Sequence, residues 1–262
     1  MNEKELIAIL HDLHLGEMRW YDTLPSTNTY ALEWLRDFPP EYSLIVTDQQ
    51  TAGYGRNQRS WHSRAGASLT FSFIVHPNQP EQDKLPLFSA LAALAVCEAI
   101  TSYPPNIDIS VKWPNDVLLN GKKAAGILAE AAWQGDQLMG LVIGIGVNMQ
   151  PATLPPADEL LFPATSLEQT MGRSIDRWDL LHHILQAFLA LRTIFPSPEF
   201  LDAWQNKLAY LGEEVTISKM GKEYQNGIFM GVDERGYLML KEKNGRISTF
   251  PLGDMSLRPN SL

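Results

Sequence analysis

Hydrophobic positions along the chain switch between a helical and a strand period. Glu3–Leu15 is amphipathic and predicts a short helix. Ser26-Thr27-Asn28 reads as the cap of a second, with Tyr30, Ala31, Trp34 and Leu35 at helical spacing. Ser43–Thr47 predicts a short strand, and a polar, glycine-bearing stretch, Thr51–Gly66, follows it. Ser68–Val75 alternates, with Leu69, Phe71, Phe73 and Val75 on one face and Ser68, Thr70 and Ser72 on the other, the period of a half-buried strand. Leu85–Ile100 reads as an apolar helix, and Ile107, Ile109 and Val111 lead into Lys112-Trp113-Pro114-Asn115-Asp116. Val117–Leu119 and Lys122–Glu130 flank Asn120-Gly121, a strong hairpin signal because both turn residues must tolerate positive φ. Leu138–Val147 is a buried strand, Pro151–Pro163 is irregular, and Trp178–Phe195 is a long helix. Short strands at Glu214–Ser218, Gly227–Val232, Tyr237–Leu240 and Arg246–Pro251 then predict a small barrel. The expectation is α+β: a mixed sheet with helices on one side over residues 1–210, and an all-β unit over 211–262.

Composition narrows the function. The 262 residues are 45% hydrophobic, enough for one sizeable core and an appendage. A net charge of −9 disfavours a partner that is chiefly phosphate backbone, such as DNA. The single cysteine, Cys97, sits in an apolar run and excludes both an intrachain disulfide and a multi-cysteine metal site. No secretory signal and no membrane-length apolar stretch are present, so a soluble, cytoplasmic protein is expected.

Candidate chemistry gathers at three places. From Gln49 to Pro80 there is no acidic residue, although the chain carries 30, while Arg56, Arg59 and Arg64 are all present. Gly53-Tyr54-Gly55-Arg56 can bring its backbone close to a ligand, and arginine forks suit phosphate or carboxylate; a surface loop with chance charge is the competing reading. The second place is Lys112–Asp116 with Lys123, which the hairpin folds back toward Asn115 and Asp116, ahead of the small apolar run Ala124–Ala129. Lys122 is read as merely solvated. The third is Gly144-Ile145-Gly146-Val147-Asn148 at a strand end, which lacks the third glycine and following helix of a dinucleotide site. No phosphate-loop motif or nucleophile elbow occurs, and the His11/His14 and His182/His183 pairs lack the company of a metal site. Together these elements suit the activation of a carboxylic acid on a nucleotide. A carboxylate and a triphosphate repel, and fixed cations (Arg56, Arg59, Lys123) with nucleotide-borne magnesium would bring them together.

The set Ser26-Thr27-Asn28, Gln50–Arg56, Arg59 with Trp61, Lys112–Asp116, Lys123 with Gly126-Ile127-Leu128, and Gly144–Asn148 closely resembles the biotin protein ligases over about residues 20–150. The resemblance implies a class II synthetase-like catalytic domain and a C-terminal SH3-like barrel. It implies activation of biotin with ATP to biotinyl-5′-AMP, then transfer to a lysine of the biotin carboxyl carrier protein of acetyl-CoA carboxylase. It also implies residue roles. Ser26, Thr27, Asn28 and Gln50 would bind the ureido end of biotin. Gly53, Tyr54, Gly55 and Arg56 would close over it, and Trp61, Gly126, Ile127, Leu128, Gly144 and Gly146 would line its ring and chain. Lys123 would grip the carboxylate and α-phosphate. Arg56, Arg59, Lys112, Asn115, Asp116, Asn148 and Arg258 would face the nucleotide, with Lys123, Arg56 and Asp116 in catalytic roles and no protein-held metal. Thr165-Ser166-Leu167 would close the adenine-side loop.

Two departures stand out. Tyr54 replaces a usual arginine, and Gln58 stands near a frequent glycine. The 25 residues ahead of Ser26 are too few for the three-helix DNA-binding domain of the repressor members and are not basic, so a ligase without DNA binding is expected. A lipoate or octanoate ligase or transferase, and a biotin-binding regulator without catalysis, are the competing readings. An exposed edge strand leaves pairing of two copies open.

Overall fold

The computed structural model describes residues 1–219, 222–251 and 255–259. Its strands are β1 (Met18–Leu24), β2 (Leu44–Gln50), β3 (Ser68–Val75), β4 (Ile109–Lys112), β5 (Asp116–Leu119), β6 (Lys122–Gln134) and β7 (Gln137–Asn148), joined in one seven-stranded sheet of order β1-β2-β3-β7-β6-β5-β4. Only β1 and β2 run parallel; every other pair is antiparallel. The helices are α1 (Glu3–Ile9), α2 (Thr27–Trp34), α3 (Gln79–Gln82), α4 (Leu87–Thr101), α5 (Leu167–Met171), α6 (Arg177–Arg192) and α7 (Pro198–Gln205). Strands β8 (Glu214–Lys219), β9 (Lys222–Val232), β10 (Leu238–Lys241), β11 (Ile247–Phe250) and β12 (Met255–Pro259) make a separate five-stranded antiparallel sheet, the SH3-like unit expected at this end; residues 220, 221, 252–254 and 260–262 of the expected domain lie outside the described ones. Among the described residues no helix is long and apolar enough to cross a membrane.

The large sheet uses both faces, because neighbouring side chains along a strand point to opposite sides. Leu44, Val46, Phe71, Phe73, Ile143 and Ile145 join α4 and α6 in the main core. The intervening Ile45, Ile74 and Val142 join Ala31, Trp34 and Leu35 in a second apolar cluster. The expectation of helices on one side is therefore corrected: α2 covers the face opposite α4 and α6.

The half-buried reading of β3 is corrected for the same reason. All eight of its residues are buried, with Ser68 and Thr70 each 1% exposed and Ser72 0%. Its hydroxyls face a second layer rather than water. The N-terminal helix is also shorter than expected, stopping at Ile9, and β1 and α7 were not anticipated. β1 carries no alternation strong enough to betray a sheet-edge strand.

The two sheets are tied together near the Lys-Trp-Pro-Asn-Asp segment. Trp113 is fully buried and donates its indole N–H to the Gly236 carbonyl at 3.2 Å, while the Val111 N–H donates to the Lys207 carbonyl at 2.7 Å. Val215, Ile217 and Phe229 of the small sheet belong to the main buried cluster.

Candidate active site

Sheet register builds the site on the α2 face. Lys112 pairs with Asp116, Asp116 with Gly126, Gly126 with Gly146, and Gly146 with Thr70, a single row across β4, β5, β6, β7 and β3. The next row is Leu128, Gly144 and Ser72. Glycine and small hydroxyl residues at these crossings leave a trough where other sheets carry side chains. The glycines are required. A Cβ on Gly146 would stand 2.4 Å from the Trp61 indole, and one on Gly144 only 1.9 Å from Asn28 Oδ1. Trp61 lies over Gly126 and Gly146, its Nε1 buried and without a partner among the described residues.

At one end of the trough the groups are neutral and already wired. Ser26 caps α2, accepting weakly from the Thr29 N–H at 3.5 Å. The Thr27 N–H (2.7 Å) and hydroxyl (3.1 Å) both donate to Gln50 Oε1, which leaves the Gln50 amide hydrogens for a ligand acceptor. The Ser72 hydroxyl, one hydrogen for two acceptors, lies 2.7 Å from Thr27 Oγ1 and 2.6 Å from Asn28 Oδ1.

At the other end the groups are charged. Lys123 Nζ lies 2.5 Å from Asp116 Oδ1, and Lys112 Nζ lies 3.2 Å from Asp116 Oδ2. Burial alone would push the Asp116 carboxyl up, but Lys123 and then Lys112 hold it well below the usual carboxylate range. Burial pushes the Lys112 ammonium down, with Asp116 opposing it. The Phe162 ring sits 4.9 Å from Lys112 Nζ. Three charges thus leave one net positive, to which Arg56 and Arg59 add.

The glycine–arginine loop is a small hairpin. The Trp61 N–H donates to the Gly53 carbonyl (2.8 Å), the Gly55 N–H to the Arg59 carbonyl (2.7 Å), and Tyr54 pairs with Ser60. Its turn places Asn57 and Gln58 at φ 56°, the left-handed region where glycine is at ease and a side chain costs about 1 kcal/mol. That is a physical reason for a glycine near Gln58 in proteins of this pattern. Arg56 Nη1 donates to Asn115 Oδ1 at 3.3 Å.

Two cavities result. The first is lined by Ser26, Thr27, Asn28, Gln50, Tyr54, Gly55, Arg56, Trp61, Lys123, Gly126, Ile127, Leu128, Gly144 and Gly146, all expected around one ligand. Gly53 does not line it; a Cβ there would meet Gln50 Nε2 at 2.7 Å, so its place is behind the wall. The second is lined by Arg59, Lys112, Asp116, Lys123, Asn148 and Arg258, together with Leu160, Leu161 and Phe162 of the proline-rich segment. Arg56 and Asn115, expected beside the nucleotide, line the first cavity instead. Arg59, Ser60, Trp61, Lys112, Asp116 and Lys123 belong to both and form the passage between them. The proline-rich segment docks by its end: the Lys123 N–H donates to the Pro163 carbonyl and the Thr165 N–H to the Lys123 carbonyl, both at 2.8 Å, and Asn148 Nδ2 donates to the Thr165 carbonyl at 3.1 Å. Lys122 is exposed, as expected.

Sequence reasoning missed Ser72, Phe162 and Glu130. Ser72 carried a signal, a polar position inside a strand that both neighbours cover. Phe162 and Glu130 carried none, because their contacts come from distant segments. No group of three or more His, Cys, Asp or Glu that could hold a metal ion is found among the described residues.

Comparison with known proteins agrees with this geometry. Residues 20–148 match the Biotin/lipoate A/B protein ligase family, and residues 210–258 match the Biotin protein ligase C terminal domain. The chain is 37% identical to the Bifunctional ligase/repressor BirA of Bacillus subtilis, covering 94% of this chain and 76% of that protein. It is 33% identical to the Biotin--[acetyl-CoA-carboxylase] ligase of Paracoccus denitrificans, covering 84% and 92%. The structure of biotin protein ligase from Aquifex aeolicus in complex with biotin and ATP superposes with a TM-score of 0.77 at 31% identity, covering 93% of this chain and 99% of that one.

Proposed function

The chain belongs to the biotin protein ligases of the biotin/lipoate A/B protein ligase family, and from that premise we propose how its site performs the reaction. The protein activates biotin with ATP and transfers it to a lysine of a biotin carboxyl carrier protein, the acetyl-CoA carboxylase subunit being the acceptor that relatives name. One observation carries the reading: two cavities, one floored by glycine and neutral at its far end, the other apolar and basic, meet at Lys112, Asp116 and Lys123.

Biotin occupies the trough. Its ureido carbonyl accepts from the Gln50 amide, and its ring and chain pack against Trp61, which rests on the glycine floor. Its carboxylate reaches Lys123. ATP occupies the second cavity, its base against Leu160–Phe162 and Asn148, with Arg258 approaching from the small sheet. A carboxylate oxygen attacks the α-phosphorus and pyrophosphate leaves. Lys123, Arg56 and Arg59 offset the charge that builds on the phosphoryl oxygens, the kind of fixed stabilisation worth two to three orders of magnitude per donor. The acceptor amine, in its neutral form, then attacks the acyl carbon, the C–O bond to the phosphate breaks, AMP leaves, and the amine's proton passes to solvent or to the departing phosphate.

Asp116 acts here by holding two ammoniums in place. Its depressed pKa makes it a weak base, so proton removal is not assigned to it. Magnesium would travel on the phosphates. Of the carboxylates lining the second cavity, Asp116 already contacts an ammonium with each oxygen, which leaves Glu159 and waters for the ion. We further propose residues 1–210 as the catalytic unit and 211–262 as the appended barrel, the change of sheet after α7 supporting that division.

The test mixes protein, MgATP and biotin and looks for biotinyl-5′-AMP by mass and for pyrophosphate, then adds a carrier domain. Biotin-dependent pyrophosphate and a carrier heavier by one biotinyl group are expected. Activation of lipoate or octanoate in preference to biotin would overturn the assignment.

A further inference from the structure

Glu130 lies on β6 in the row beyond Leu128, on the trough face, outside every role given so far. Its Oε2 accepts from Asn28 Nδ2 at 2.8 Å and from the Tyr54 hydroxyl at 3.0 Å. The other Asn28 amide hydrogen is directed to the Leu128 carbonyl at 3.3 Å, and Asn28 Oδ1 faces the Ser72 hydroxyl. With Glu130 taking one amide hydrogen, the Asn28 side chain has a single sensible orientation, oxygen toward Ser72 and nitrogen toward β6. Tyr54 belongs to the glycine–arginine hairpin. Burial pushes its hydroxyl above the usual phenol range, so it stays a donor. One carboxylate therefore ties the glycine–arginine hairpin and the polar end of the trough to the same strand.

We propose that Glu130 is a positioning residue that latches the glycine–arginine hairpin across the trough through Tyr54, and that this latch sets how fast biotin and its adenylate escape. The inference rests on the biotin reading of the site. It also accounts for the tyrosine at 54: a phenol reaching a carboxylate gives the hairpin a tether without a further cation in a loop that already carries Arg56 and Arg59. A hydrogen bond to a charged acceptor in such a place is worth about a factor of ten in release rate.

The experiment measures release of labelled biotinyl-adenylate from preloaded protein, KM for biotin and for ATP, and tryptic cleavage at Arg56 and Arg59 without ligand. Tyr54→Phe, which removes a single oxygen, and Glu130→Ala should each speed release about tenfold and raise KM for biotin but not for ATP. The double variant should be no worse than Glu130→Ala alone. Glu130→Gln, which keeps a carbonyl oxygen, should restore much of the loss. Tyr54→Arg should slow release when Glu130 is present and lose that gain in the Glu130→Ala background. Wild-type release from Glu130→Ala, or effects of the two changes that multiply, would overturn the latch. Should the wild type form no adenylate, the biotin reading fails by itself. The latch is then judged on ligand-free cleavage, which must quicken in both single variants if it exists and stay unchanged if it does not.

Discussion

The two ends of the trough solve opposite problems. At the neutral end Thr27, Gln50, Ser72 and Asn28 are already hydrogen-bonded to one another, and the ligand meets donors whose directions are settled. At the charged end the lysines are held by Asp116, and their charge is only partly available until a ligand anion competes for it. A neutral lining group can be prewired at little cost because it carries no charge that needs a counter-ion. A cluster of buried cations cannot wait unpaired, since desolvation would drive off its protons. Preorganisation therefore means fixed hydrogen bonds at one end and a provisional ion pair at the other.

The largest effect is expected where the charged end is cut. Lys123→Ala should lower biotin-dependent pyrophosphate exchange by about three orders of magnitude, with the melting temperature close to wild type because the lysine is partly exposed. Asp116→Asn should instead act on stability. It leaves the buried Lys112 without its counter-charge, a loss of about 3 kcal/mol by urea unfolding at pH 7. The sign of the pH dependence follows from the lowered Asp116 pKa. Its contribution is full above the unfolded aspartate value of about 4 and is lost as pH falls through the lower folded value. The gap between wild type and Asp116→Asn should therefore persist from pH 7 to 5, widening as the unpaired Lys112 of the variant regains its proton, and narrow only in stronger acid; a gap that closes by pH 5 would refute the pairing.

The floor joining the ends gives the next effect. Gly146→Ala would press a methyl into Trp61, and biotin affinity by calorimetry should fall about ten- to a hundredfold. The smallest belongs to the neutral end. Ser72→Ala removes one donor from a chain of several, so affinity should drop about fivefold, near 1 kcal/mol, while the ATP affinity stays put. If Ser72→Ala proved costlier than Lys123→Ala in the exchange assay, the contrast between the ends would be reversed.

Much of this was legible in the sequence where the chemistry depends on local pattern. The Asn120-Gly121 turn folds Lys123 onto Asp116, and Gly126, Gly144 and Gly146 stand where other groups approach the strands closely, here Trp61 and Asn28. What could not be read was anything that depends on which layer covers a strand. Ser72 looked like half of an alternating pattern, because nothing in β3 announces that α2 lies over it. Glu130 was only the end of a predicted strand, since its partners lie 76 and 102 positions away. Arg56 and Asn115 pair with each other at the mouth of the first cavity, a register that spacing alone leaves free.

The most direct test of the shared passage is a crystal structure with biotin and a non-reactive ATP analogue bound together. Lys123 Nζ is expected within about 3 Å of both a biotin carboxylate oxygen and an α-phosphate oxygen, with biotin packed against Trp61. The two ligands in cavities that do not meet, with Lys123 turned to solvent or still paired only with Asp116, would contradict it.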